Sequence, residues 1–204
     1  MAPPVSMEGA LSFLKDDPPS VVVASFFIDK FSKNIYFRHL TLPCYRVKCE
    51  QFIRDQIDCS NRLKTLVLDG AKWSQSIYDY IKKALKKPTL RFFATSTLRI
   101  SFSLIDGVIA EWMKSEGQDE KAIRAAVDAV PKPDEFPDFY NLNDSKKYSS
   151  QVLVSHPVIP LYWAKLELKV YARNQMANLT YEKCTCRSHP SVTCFATCCF
   201  DKYQ

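Results

Sequence analysis

Cysteine and histidine crowd the end of this chain: Cys184, Cys186 and His189 lie close together, and Cys194, Cys198 and Cys199 follow. Thiolates and neutral imidazoles are the ligands of tetrahedral zinc, so metal chemistry has its residue types together here. The spacing argues against it. The C-x2-C pairs typical of zinc knuckles and ribbons are missing, and C-x-C and C-C set neighbouring ligands in awkward geometry. A disulfide cluster needs an oxidising compartment, and adding Cys44, Cys49 and Cys59 yields no framework. The composition changes abruptly after about residue 172, which favours a third reading: 173–204 is an unstructured Cys-rich tail. No metal site is expected, and Cys184, Cys186, His189, Cys194 and Cys198 are the ligands to which one would fall.

Other catalytic signals are thin. His39, His156 and His189 stand far apart without acid–base partners at a recognisable spacing, and Gly9, Gly70, Gly107 and Gly117 are isolated, so no glycine loop cradles a phosphate. Nucleophile-elbow, H-E-x-x-H and kinase patterns are missing. The expectation is a chain that is not an enzyme and uses no cofactor.

A chain of 204 residues, 47% hydrophobic and 13% aromatic, can bury a substantial core. Its longest apolar run, Val21 to Ile28, is too short to span a bilayer, and the start lacks the pattern of a secretory leader. A cytoplasmic or nuclear protein without membrane contact is expected. The net charge is +6, densest at Lys82-Lys83-Ala84-Leu85-Lys86-Lys87. Cations there complement a helix C-terminus. Without interleaved aromatics and glycines they do not read as a nucleic-acid patch.

The elements are announced by a repeat. Phe37-x-x-Leu40-x-Leu42, Leu63-x-x-Leu66-x-Leu68 and Leu90-x-x-Phe93-x-Thr95 begin 26 and then 27 residues apart, each before a stretch of helical periodicity. Strand-plus-helix units at this period are the signature of a leucine-rich solenoid, whose units bury their apolar faces only by stacking. The predicted strands run over 36–42, 63–68 and 90–94. Helices follow with inner stripes Val47, Phe52, Ile53, Ile57; then Ile77, Ile81, Ala84, Leu85 after a Ser74 cap; then Leu104, Ile105, Val108, Ile109, Trp112 after Ser103-x-x-Asp106. Residues 1–20, with two Pro-Pro pairs, read as a flexible arm, and 21–28 as a strand or N-terminal cap. Residues 118–130 read as a further helix with Ile123, Ala126, Val127 and Val130 inward. An acidic-aromatic loop follows. Then Gln151–Ser155 and Leu161–Tyr171 form a hairpin across His156-Pro157. The fold class is α/β: a short leucine-rich-repeat-like βα solenoid with a C-terminal antiparallel hairpin and a disordered tail, the interaction domain being 21–172.

In this register the leucines enter the core and the intervening residues are displayed. They are Arg38, His39 and Thr41, then Lys64, Thr65 and Val67, then Arg91, Phe92 and Ala94. One basic residue per unit makes a positive stripe suited to an acidic protein target, with Phe92 as its aromatic anchor.

The segments Ile35-Tyr-Phe-Arg-His-Leu-Thr-Leu-Pro, Cys49-Glu-Gln-Phe-Ile, Asn61-Arg-Leu-Lys-Thr-Leu-Val-Leu-Asp-Gly and Trp73-Ser-Gln-Ser-Ile, continuing through Glu111-Trp112, resemble the F-box-associated regions of nematode F-box protein families. The likeness spans about residues 35–171. It implies a target-recognition module of a cullin-type ubiquitin ligase, with the ligase adaptor as a further partner. An F-box pattern is not evident in residues 1–34, so the resemblance implies target binding and leaves coupling to the ligase open. The alternative from another class is a Cys/His metal-binding regulator contacting nucleic acid.

Overall fold

The computed structural model of the chain describes residues 10–12, 18–31, 36–43, 47–70, 73–115, 120–129, 140–141, 150–155, 164–171, 173 and 175–183. It is a mixed α/β protein. Contacts divide it into two units, Met1–Ile100 with Arg124–Ala126, and Ser101–Ile123 with Val127–Gln204.

In the first unit strands and helices alternate. They are β1 (Ala10–Ser12), α1 (Pro18–Phe31), β2 (His39–Pro43), α2 (Val47–Cys59), β3 (Thr65–Asp69), α3 (Ile77–Leu85) and β4 (Phe92–Ile100). Each strand pairs in parallel with the next, Ala10 opposite His39, His39 opposite Thr65 and Thr65 opposite Phe92. That register puts Leu40, Leu66 and Phe93 side by side, and Leu42 beside Leu68; none of these five is exposed to solvent. Side chains alternate across a strand, so one face is a wall of leucine and phenylalanine. The helices close over it with Phe52, Ile53 and Ile57 from α2 and Ile77, Ile81, Ala84 and Leu85 from α3, all buried.

Polar groups lock these layers. Gln56 is buried in α2, and its Oε1 accepts from the N–H of Phe37 at 3.0 Å, while the Phe37 ring meets Phe52 edge-on at 6.1 Å. Lys87 donates to the carbonyls of Ile57 and Ser60, satisfying acceptors that the end of α2 leaves open. Glu50 accepts from the N–H and hydroxyl of Ser74 and lies 3.5 Å from Arg54, whose guanidinium stacks 5.1 Å from the Tyr80 ring and donates to Ser76.

The second unit holds α4 (Phe102–Lys114), β6 (Tyr140–Asn141), β7 (Ser150–Ser155), β8 (Ala164–Tyr171) and β9 (Met176–Lys183); β5 (Lys121–Val127) has residues in both units. β6 to β9 pair antiparallel in chain order. Leu166, Leu168 and Val170 face Tyr181, Leu179 and Ala177 across the β8–β9 pairing, all six buried, and Trp112 of α4 packs 5.9 Å from the Tyr181 ring.

Several local expectations are corrected. The tail expected to be unstructured over 173–204 contains β9, whose Ala177, Leu179 and Tyr181 are buried against β8. Residues 21–28 are not a strand but the middle of α1. Proline is tolerated in a first helical turn, and Ala24 and Ile28, four apart, turn inward together. The arm expected over 1–20 contains β1 and the start of α1. Residues 121–127, inside the helix expected over 118–130, form β5 instead: Lys121, Ile123, Ala125, Ala126 and Val127 are buried and Arg124 is exposed, tertiary context overriding helix propensity. Both serine caps are displaced. Ser74 spends its hydroxyl on Glu50 and α3 starts after Ser76, while α4 is capped by Ser101, whose Oγ accepts from Ser103 N at 3.4 Å. β4 also runs six residues past the predicted Ala94, to Ile100. Among the described residues, no helix is long and apolar enough to cross a membrane.

Candidate functional site

The first unit's sheet has a second face, and its residues alternate with the buried leucines. His39 and Arg91 are exposed. Arg38, Lys64 and Arg91, each one residue before a strand, fall outside the alternation, with Arg38 and Lys64 half-buried. On this face Thr41, Thr65, Val67, Phe92 and Ala94 are half-buried. Strand register arranges them in rows: His39 beside Thr65 beside Phe92, and Thr41 beside Val67 beside Ala94.

Arg38, Lys64 and Arg91 precede these strands by one residue each, and backbone hydrogen bonds hold them in an equivalent row. The Arg38 carbonyl accepts from the N–H groups of Lys64 (2.7 Å) and Thr65 (2.9 Å), and the Lys64 carbonyl from those of Arg91 (2.8 Å) and Phe92 (2.9 Å). Adjacent strands lie about 4.8 Å apart, so three cationic side chains originate within roughly 10 Å. None of the nine positions in these rows is Asp or Glu.

Hydrogen bonding across the face sharpens the picture. His39 Nδ1 and Thr65 Oγ1 are 2.9 Å apart, a contact that spacing alone did not reveal; its signal was the 26-residue offset that makes the two residues partners. At the far end of the strands Asp69 accepts from Ser96 Oγ at 2.8 Å and the Gly70 carbonyl from Thr97 Oγ1 at 2.7 Å, with Gly70 in the left-handed region at φ 89°. Along this face run the His39–Thr65–Phe92 row, then the small and apolar Thr41, Val67 and Ala94, then the Asp69 carboxylate. Sequence reasoning expected Arg38, His39, Thr41, Lys64, Thr65, Val67, Arg91 and Phe92 on one displayed face; Asp69 and Ser96 were not among the residues it singled out.

Among the described residues there is no group of three or more His, Cys, Asp or Glu side chains that could hold a metal ion. Cys184, Cys186, His189, Cys194 and Cys198 lie outside the described residues, as do His156 and the acidic-aromatic loop. Nearby, Tyr36 beside Cys59 has its phenol held above the ordinary 10.0 by burial first and by the Cys59 thiol next. No protein-family model, curated protein or solved structure matches the chain.

Proposed function

We propose that this chain is a non-enzymatic protein-interaction module, comparable to the target-recognition region of a ubiquitin-ligase F-box protein, working in the cytoplasm or nucleus. Its first unit is read as a short leucine-rich-repeat-like solenoid: successive parallel strands are displaced by 29, 26 and 27 residues, and α1, α2 and α3 follow β1, β2 and β3. The partner is a protein with an acidic surface segment, laid across the displayed rows. The observation that carries this reading is the alignment of Arg38, Lys64 and Arg91 through the carbonyl hydrogen bonds at the start of the strands. Charges of this kind set encounter rate and specificity more than raw affinity. Phe92 supplies the apolar anchor beside them.

The test compares the tagged chain with its Arg38→Glu, Lys64→Glu, Arg91→Glu version, captured side by side from cells and read by mass spectrometry. A set of proteins with acidic segments held by the first and lost by the second, at unchanged thermal melting, is the expected result. Equal recovery by both sinks the reading. Recovery of the ligase adaptor by both identifies a coupling surface away from these rows.

A further inference from the structure

The strand–helix pairs of the first unit stack in chain order: α1 packs on α2 and α2 on α3, while β1 pairs with β2 and β2 with β3. An array of this kind needs a polar outer face on its terminal members to stay single in water. The α1 end has an apolar one. Ala24 and Ile28 turn inward, and Val22, Val23 and Phe26 stand 69%, 51% and 59% exposed on the other side of the helix. Three- and four-residue spacing makes these three neighbours. Phe27 is less exposed and has an interaction within its own chain, so it borders the patch rather than forming it. Beside the helix, the outer edge of β1 carries no strand among the described residues. We propose that a second copy of this chain docks on this end, related by a two-fold axis that sets α1 antiparallel against its copy and brings the two β1 edges together.

The patch selects that occupant by size and by charge. In an antiparallel pair centred between Ala24 and Ser25, Val23 lies opposite the partner's Phe26 and Phe26 opposite the partner's Val23. Small meets large both times, the self-complementarity that a two-fold interface demands. Charge excludes the obvious rivals. Asp29 and Lys30 are the charged residues of α1 and cancel. The helix therefore lacks the lysine- and arginine-rich face with which interfacial helices hold an anionic lipid surface, and it offers no charged stripe to an acidic or basic target.

Orientation follows from the ends of the helix. Lys30 lies 6.0 Å from its own Phe26 ring and closes one end of the patch. Asp16-Asp17 directly precede the helix in the sequence, so antiparallel order carries an acidic end towards the partner's Lys30. Parallel order would set lysine against lysine. One axis normal to the sheet makes strands and helices antiparallel together and keeps both helices on the same side of the continued sheet. The three side chains offer roughly 300 Å² per copy, well under the ~800 Å² of a standard interface. The dimer is accordingly weak and reversible.

The experiment uses the full chain, followed by sedimentation velocity from low micromolar to the highest soluble concentration. A monomer–dimer equilibrium is the expected result. Phe26→Glu and Val23→Glu, each with unchanged melting, should weaken association more than about tenfold, because each buries a charge in the apolar patch. Phe26→Val alone should weaken it, and adding Val23→Phe should restore it by exchanging large for small on both copies. With labelled valine methyl groups, Val22 and Val23 should shift on dilution while the buried Val108 stays, and amide exchange over Ala10–Ser12 should slow as the dimer fills. A chain that is monomeric throughout, or a dimer that both glutamate variants leave intact, overturns the proposal. Failure of the double exchange to restore association, or unchanged exchange over Ala10–Ser12, overturns the antiparallel joining of the two ends. Flotation with phosphatidylserine vesicles that Phe26→Glu abolishes, without a dimer in solution, gives the patch to a lipid surface instead. None of these variants touches the rows of Arg38, Lys64 and Arg91, so the charge-reversal capture is decided separately.

Discussion

Arg91 donates its backbone N–H to the carbonyl of Lys64 at 2.8 Å, one unit on from the bond that Lys64 itself donates to Arg38 at 2.7 Å. The two bonds make the cationic row a property of the backbone rather than of side-chain chance. Any strand slip that breaks one also breaks the leucine wall behind it, because a slip of one residue exchanges the two faces.

Phe93 of β4 is fully buried and partners Leu66 of β3. Phe93→Ala is expected to cost about 3–5 kcal/mol, read as a lower urea midpoint. Ala94→Ser on the displayed face should move it by less than about 0.5 kcal/mol. Equal costs at the two positions would contradict the alternation of buried and displayed residues.

Gln56 links α2 to the start of β2. Gln56→Leu keeps the volume and leaves the Phe37 N–H without its acceptor inside the core. The expected loss is about 1–3 kcal/mol, and amide exchange at Phe37 should accelerate more than exchange at Leu66.

Lys87 tests pH dependence. Burial, and then the neighbouring Lys83 charge, lower its ammonium below the ordinary 10.5. The unfolded chain therefore holds this proton more tightly than the folded one, and Lys87 contributes stability that rises as pH climbs from its lowered value towards 10.5. Lys83 acts in the opposite sense. Its hydrogen bond to Asp58, at 2.6 Å, raises it, so its contribution is lost at high pH. Lys87→Met removes the rising component alone: the difference in stability between native chain and variant should grow with pH in that alkaline window. At neutral pH the variant should be about 1–2 kcal/mol less stable, through loss of the donor to Ile57 and Ser60.

Salt separates charge from apolar contact on the displayed face. At about 0.5 M salt screening acts within a few ångströms, so affinity for an acidic segment should fall several-fold from its low-salt value. Phe92→Ala should weaken binding by a factor that salt leaves unchanged.

The sequence made the regular part of this fold readable because leucines at a constant period report a constant register. Leu40, Leu66 and Phe93 are neighbours for the reason that put them 26 and 27 residues apart. The stripe of α3 was legible for a similar reason, being apolar on one side only. α1 was not. Its Val22, Val23, Phe26 and Phe27 lie outward, Val22 at 69% exposure, so the helix hides its period under β-branched and aromatic residues on the wrong side. Thr95 looked like a failed leucine position. In the structure it is buried with its hydroxyl accepting from Leu98 N at 3.1 Å, which suits a strand that continues to Ile100. The cationic row could be read from three residues; the carboxylate end of the face could not, since Asp69 gains meaning only when Ser96 arrives beside it.

The even spacing of the parallel strands has a kinetic side. Strand partners in the first unit are 29, 26 and 27 residues apart, so each pairing closes a loop of nearly the same size. Closure entropy grows only as the logarithm of loop length, so no rung stands apart as the costly one. The chain can zip from any interior pair towards both neighbours, and partial unfolding strips strands from the outside. β1, with three residues and one strand partner in the parallel set, is the first to go, and its loss leaves the rows that carry Arg38, Lys64 and Arg91 in register.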